Sequence, residues 1–287
     1  EAQHLKADIR RIPHTYSIEG SPGSQLLKTL KKQTLKNLGK VDSLLSRKNL
    51  YRDSSDFIVH KTKIDSLIRQ IHQQQFRFQH NLVKNNKDEL AVLVPLFQPF
   101  GREEVLTIQE QPELFIAVHD TLMQKYPDNP HVLLLHKKVK RYQEKQENSK
   151  QTEENLQLSK VAPDFTIQKI NGEASTLSEL KGDFILIHFW SEKTPDYKKQ
   201  MKTISEVLQS HENLIHLAMY KGNDKLVWNK VADRYQNQSI HAIANQQIQK
   251  MYNTTEKHRL FLINEEGKII NKDFGIKTIK SVIDDNL

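Results

Sequence analysis

"VAPDFTIQKINGEASTLSELKGDFILIHFWSEKTPDYKKQM", residues 161–201, decides the fold. Its centre, DFILIHFW (183–190), is a short apolar run of the kind found in strands buried on both faces. An aromatic pair, Phe189 and Trp190, closes the run, and the chain then turns into a helical pattern with Pro195 just inside the turn. Downstream, NLIHLAMY (213–220) is a second buried strand, and KTPDYKKQMKTISEVLQS and NDKLVWNKVADRY read as helices. RLFLINEEGKIINKDFG (259–275) reads as two strands joined by a turn at Gly267, with a last helix after it. Strand, helix, strand, helix, hairpin and helix in that order predict an α/β domain, a mixed central sheet flanked by helices, over 161–287.

Upstream the pattern changes. EKQENSKQTEENLQLSK (144–160) is polar with few apolar anchors and reads as a linker (148–160) or a solvated helix tail. Residues 21–147 read as all-helical. Ser21 is a candidate N-cap with Pro22 at the first helical position. Leu26, Leu27, Leu30, Leu35, Leu38, Val41, Leu44 and Leu45 recur at helical spacing. A second long helix carries Phe57, Ile64, Leu67, Ile68, Ile71 and Phe78. Shorter helices follow around 87–98, 110–125 and 129–147, with YPDNPHV as a break and restart. Residues 1–20 read as an extended, turn-rich lead-in.

The bulk numbers bound the chemistry. A chain of 287 residues holds one large domain or two ordinary ones, and 37% hydrophobic with 27% charged is a globular composition. No run approaches the roughly 18 apolar residues of a membrane span. With no cysteine, disulfides, thiolate zinc sites, iron–sulfur clusters and dithiol couples are all excluded. The net charge of +8 lies in the first half, where residues 1–150 hold 25 Lys and Arg against 17 Asp and Glu, while residues 151–287 hold 18 of each. That excess reads either as solvated helix faces or as a surface for an anionic partner. No aromatic-rich RNA-binding or zinc-finger pattern accompanies it, so nucleic acid is not expected. The first residue is Glu1, which suggests a mature or trimmed form, with any signal peptide or lipid-anchor cysteine upstream.

Three motifs in this order, Ala-Pro-Asp-Phe (162–165), Leu-Ser-Glu-Leu-Lys-Gly (177–182) and Phe-Leu-Ile-Asn with Gly-Lys (261–268), resemble the thioredoxin-like redoxin family. The resemblance is to its TlpA/ResA type, related to AhpC/TSA, and covers about 161–287. The helical part, with Tyr126–Val132, is similar to segments that precede redoxin domains in Bacteroidota envelope proteins. Such proteins often start with a small β-rich domain, which would be absent or lie upstream of this chain. The resemblance implies a cell-envelope location, periplasmic or lipid-anchored through a segment outside this chain.

Active relatives carry Cys-x-x-Cys where the aromatic strand meets its helix. Aligning Phe189–Trp190 with the family's Phe-Trp puts Thr194 and Tyr197 at the two cysteine positions. The family's cis-proline, two residues before Leu260, falls at His258, where an ordinary trans peptide is expected. Neither a threonine hydroxyl nor a phenol forms a mixed disulfide, so the domain reads as redox-dead. Trp190, Glu192, Lys193, Pro195 and Asp196 are then a candidate binding surface for an unidentified protein or peptide, with Trp190 as its floor, although core packing is the default reading for that tryptophan. Thr194, His258 and Asp196 hold the ingredients of a nucleophilic triad, but Thr194 as N-cap, Pro195 at N1 and Asp196 in the first turn is the preferred expectation. His188 and His216 are read as hydrogen-bonded imidazoles of adjacent strands rather than a metal site, and His131 and His136 lack metal spacing. Two Asn-x-Ser/Thr sequons, at Asn237 and Asn253, are treated as chance. The reading is therefore a redox-inactive binding or scaffold module without cofactor or metal. The alternative is a thiol–disulfide or peroxide oxidoreductase, as the family label implies.

Overall fold

The computed structural model describes residues 4–6, 17–19, 21–168, 172–180, 183–255 and 257–287. The rest of the lead-in, and Lys181 and Gly182 of the second motif, lie outside the described residues. The chain divides into two units, Glu1–Glu144 and Lys145–Leu287.

In the first unit, strands β1 (His4–Lys6) and β2 (Ser17–Glu19) pair antiparallel. Five helices follow: α1 (Pro22–Leu50), α2 (Phe57–Asn85), α3 (Leu93–Phe97), α4 (Pro112–Lys125) and α5 (Pro130–Asn155), whose C-terminal part lies in the second unit. The Ser21 hydroxyl accepts the Ser24 N–H at 3.2 Å and Pro22 opens α1. The core gathers Val83, Leu96, Phe115, Val118, Leu122, Val132, Leu135 and Val139.

The apolar stripe expected on α1 and α2 is only partly inward. The buried line of α1 runs Leu26, Leu30, Thr34 and Asn37, leaving Leu35 and Leu45 exposed, as is Leu67 on α2. Amides fill the seam instead. Asn37 donates to Gln75 at 2.9 Å, and Gln75 donates to Thr34 and to Gln79 at 3.0 Å. Gln79 closes the chain on the carbonyls of Pro95 and Gln98, both at 3.0 Å. Each buried amide thus finds partners, as burial demands.

In the second unit, β3 (Thr166–Gln168) and β4 (Ala174–Thr176) form a hairpin. Strands β5 (Phe184–Trp190), β6 (Leu214–Tyr220), β7 (Ile240–Ile243), β8 (Arg259–Ile263) and β9 (Ile269–Lys272) form one sheet in the order β7-β6-β5-β8-β9. β5, β6 and β7 are parallel, while β8 runs antiparallel to β5 and to β9. Helices α6 (Tyr197–Leu208), α7 (Lys225–Tyr235), α8 (Gln246–Met251) and α9 (Ile279–Asp284) complete the fold. Alternation along β5 sends Ile185, Ile187 and Phe189 into one core with Phe165, Ile167 and Tyr252, and Leu186 into the other with Ile204 of α6 and Ile279 of α9.

The first two sequence motifs meet in space. The Asp164 carboxylate accepts the Ser178 N–H at 2.9 Å and its hydroxyl at 2.8 Å. Glu179 accepts the Thr176 N–H at 2.9 Å, the return bond of a capping box.

Residues 148–160 are not a free linker, which corrects the expectation. α5 continues to Asn155, and Leu156 is fully buried in the core beside Ile167. Glu153 accepts from Arg259 at 2.7 and 3.1 Å and from Asn253 at 2.6 Å. The backbone then pairs with β9 and the turn before it, through Ser159 N to Ile269 O, Ile269 N to Lys160 O and Ala162 N to Gly267 O. Ser149 and Glu153 meet polar partners, while most other polar side chains up to Asn155 are exposed, as a solvated helix tail would have them. Arg259 is itself buried and also bonds Asp273 at 2.6 and 2.7 Å.

Candidate functional site at the strand-to-helix turn

β5 ends at Trp190, and the next six residues make two successive turns. Thr194 N–H donates to Ser191 O at 3.0 Å, and Tyr197 N–H to Thr194 O at 3.3 Å. Pro195 and a left-handed Asp196 (φ 55°, ψ 25°) occupy the centre of the second turn, the order a type II turn favours. α6 therefore starts at Tyr197, two residues later than expected. Thr194 is not its cap and Pro195 is not its first residue; Asp196 stands at the N-cap and makes no side-chain capping bond.

The Thr194 hydroxyl is committed elsewhere. It accepts the Ser191 N–H at 2.8 Å and lies 2.7 Å from His258 Nδ1, joining positions 64 residues apart. Thr194 is buried, whereas His258 is exposed. Partial desolvation of the imidazole, and then the Lys221 ammonium nearby, hold the His258 pKa below its ordinary value. Lys221 itself donates to the carbonyls of Thr254 and Lys257, stapling the loop that carries His258, and its own pKa is lowered by burial.

The remaining candidates separate into core and surface. Trp190 is fully buried, as its default core reading has it, and does not form the floor of a surface groove. Its indole stacks on Tyr197 (5.5 Å between ring centroids, 20° between planes) and meets Tyr220 at 4.9 Å, with Met201 and Ala218 in the same cluster. Tyr197 thus covers the buried indole with its ring. Glu192 accepts from the Tyr220 hydroxyl at 2.7 Å, a bond that holds its carboxyl below the usual range. Burial, with Glu192 adding to it, pushes the Tyr220 phenol up. Gly222 is needed beside them, because a Cβ there would run into both Glu192 and Tyr220. Lys193, Pro195 and Asp196 stay exposed, beside a half-buried Tyr197 and with Lys257 and His258 on the stapled loop.

Behind this surface lies a seam of imidazoles. His188, Ala218 and His241 are cross-strand neighbours on β5, β6 and β7, and His216 lies two residues before Ala218, so all three histidines share one sheet face. All are buried, and the His188 and His216 rings stack at 5.6 Å. His188 Nε2 meets Gln200 at 3.0 Å and His216 Nδ1 meets Ser239 at 2.7 Å, while His188 Nδ1 and His216 Nε2 have no partner. Burial above all pushes His188 down to about 4 and His216 well below its ordinary value. Among the described residues, no group of three or more His, Asp or Glu is placed to hold a metal ion. In the first unit, His136 bonds His119 at 2.9 Å while His131 is exposed.

Lys221, Tyr220 and Gly222 escaped the sequence reading because each acts through a partner distant along the chain. The site offers hydrogen-bonding groups and a rigid turn. It offers no thiol, and Thr194 is buried with its hydroxyl bonded to Ser191 and His258.

Residues 158–272 match the family model described as AhpC/TSA family. Among curated proteins the chain is similar to thiol-disulfide oxidoreductase ResA of Bacillus subtilis (strain 168), 25% identical over 135 residues, covering 46% of this chain and 75% of the relative. It is also similar to thioredoxin-like protein YneN of the same organism, 23% identical over 132 residues, covering 44% and 77%. Among solved structures, the thioredoxin domain of a Bacteroides vulgatus thiol-disulfide oxidoreductase is similar, with a TM-score of 0.42 and 16% identity, covering 45% of this chain and 97% of that one. The second unit of this chain is a thioredoxin-like domain whose residues 158–272 match the AhpC/TSA family model, and it holds no cysteine.

Proposed function

We propose that the thioredoxin-like unit is a redox-inactive module that binds an extended peptide or protein segment on the surface of Lys193, Pro195, Asp196, Tyr197 and His258, in a chain that works in the bacterial cell envelope. On this reading residues 21–147 are a helical domain, and the redoxin domain of 161–287 takes in the end of α5. The observation that carries the reading is the Thr194–His258 hydrogen bond of 2.7 Å. It fills the place of the dithiol with an inward-facing tie, which immobilises the turn and leaves its outer edge free for contacts. The oxidoreductase activity in the relatives' names requires a thiolate as nucleophile, and this chain has none.

Two measurements on the full chain test this. In an insulin-reduction assay with dithiothreitol, the protein should leave the rate at that of dithiothreitol alone. In amide hydrogen exchange with reduced, alkylated insulin B chain as the extended probe, Lys193–Tyr197 and residues 257–258 should gain protection. Accelerated insulin reduction would sink redox inactivity, and unchanged exchange at both segments would sink the binding surface.

A further inference from the structure

We infer that the turn joining α1 and α2 docks on an anionic phospholipid bilayer, a property independent of the reading of the second unit. The two helices have 29 residues each, about 44 Å at 1.5 Å per residue. The buried positions of α1 stop at Asn37, so its last thirteen residues bury no side chain fully. At the far end three large aliphatic side chains stand in solvent: Leu50, the last residue of α1, is 83% exposed, and Ile58 and Val59, in the first turn of α2, are 76% and 69% exposed. Tyr51 and His60 stack across the turn at 3.9 Å with 9° between planes, which brings these residues to one tip. Single exposed aliphatics are ordinary; a cluster of them marks a contact surface.

Charge selects the occupant. Arg47, Lys48, Arg52, Lys61 and Lys63 surround the tip, against Asp53 and Asp56. Asp65 is already taken, accepting from Lys48 at 2.7 Å and Lys61 at 3.0 Å. Over residues 22–85 there are thirteen Lys and Arg against four Asp and no Glu, a net +9 that exceeds the +8 of the whole chain. A second copy would set +9 against +9. A nucleic acid would meet the cations but give Leu50, Ile58 and Val59 nowhere to bury. An anionic bilayer offers headgroups to the cations and its interfacial layer to the aliphatics.

Vesicle co-sedimentation of the full chain decides the matter. It should pellet at low salt with vesicles of equal parts phosphatidylglycerol and phosphatidylcholine, and be released at about 0.5 M salt, where screening is short-ranged. It should stay in solution with phosphatidylcholine alone. The variant R47S/R52S/K63S should bind roughly fivefold more weakly per cation removed, and L50S/I58S/V59S should lose retention. All six positions are exposed, and a circular-dichroism melt confirms that the hairpin is intact. Equal pelleting with neutral vesicles, no pelleting at all, or wild-type behaviour of L50S/I58S/V59S would overturn the inference. So would concentration-dependent self-association without vesicles that this triple variant abolishes, since the tip would then be an interface between copies.

Discussion

Acidification from pH 7.5 to pH 5 should destabilise the thioredoxin-like unit through the imidazole seam. His188 is 1% exposed, Gln200 of α6 satisfies its Nε2, and its Nδ1 has no partner. A charge there would be desolvated above all, and then repelled by His258 and His241. Its pKa is about 4 in the folded chain against an ordinary 6.5. Between those values the unfolded chain binds a proton that the folded chain refuses, so stability falls as pH falls. At about 1.4 kcal/mol per pH unit the whole separation is worth about 3 kcal/mol, of which about 2 kcal/mol is lost by pH 5. His216 adds in the same direction. Trp190 and Trp228, the only tryptophans, both lie in this unit, so fluorescence-monitored urea unfolding reports on it alone. The midpoint should drop from pH 7.5 to pH 5 by the equivalent of at least about 2 kcal/mol. H188Q, which keeps a polar group but cannot titrate, should remove about 2 kcal/mol of that difference. Equal midpoints at the two pH values, or an H188Q variant as pH-sensitive as the native chain, would refute the reasoning.

Three further outcomes follow from the packing. E153Q should cost about 2–3 kcal/mol by the same fluorescence assay, because it leaves the buried Arg259 guanidinium with Asp273 alone; the cost stays below that of a fully buried pair because the Glu153 carboxylate is a third exposed. G222A should cost about 1–3 kcal/mol through overlap with Glu192 and Tyr220, and E192A in the same chain should recover part of it. T194C/Y197C should reduce insulin poorly and should titrate with no depressed thiol pKa at 194. That position is buried and lies three residues before the helix N-terminus that would stabilise a thiolate.

The fold was legible because it rests on local pattern. The alternation in 183–190 places Ile187 and Phe189 on one face and His188 and Trp190 on the other whatever the partners are. The motifs around Asp164 and Leu177, which carried the resemblance, meet in the structure through Ser178. The lost chemistry was legible too, since a dithiol mechanism fails on composition alone. What stands in its place was not. The Thr194–His258 tie spans 64 residues, and the Arg259–Glu153 pair that turns an apparent linker into part of the domain spans 106. Helix-start rules favoured Thr194 as cap because they weigh neighbours in sequence, and the competing acceptor and donor lay on a loop near the other end of the domain. Trp190 beside a polar turn left a surface role open beside its default core reading, because Tyr197 and Tyr220, which cover it, come from a helix and from another strand. The same reasoning explains why the stripe on α1 was overdrawn at Leu35 and Leu45: helical spacing identifies which residues share a face, but only a second surface, here filled by Thr34, Asn37 and Gln75, decides which face is inside. A missing atom type can exclude a reaction from sequence alone, whereas a binding surface is defined by which side chains are left over once every buried group has found its partner, and that is a property of the assembled fold.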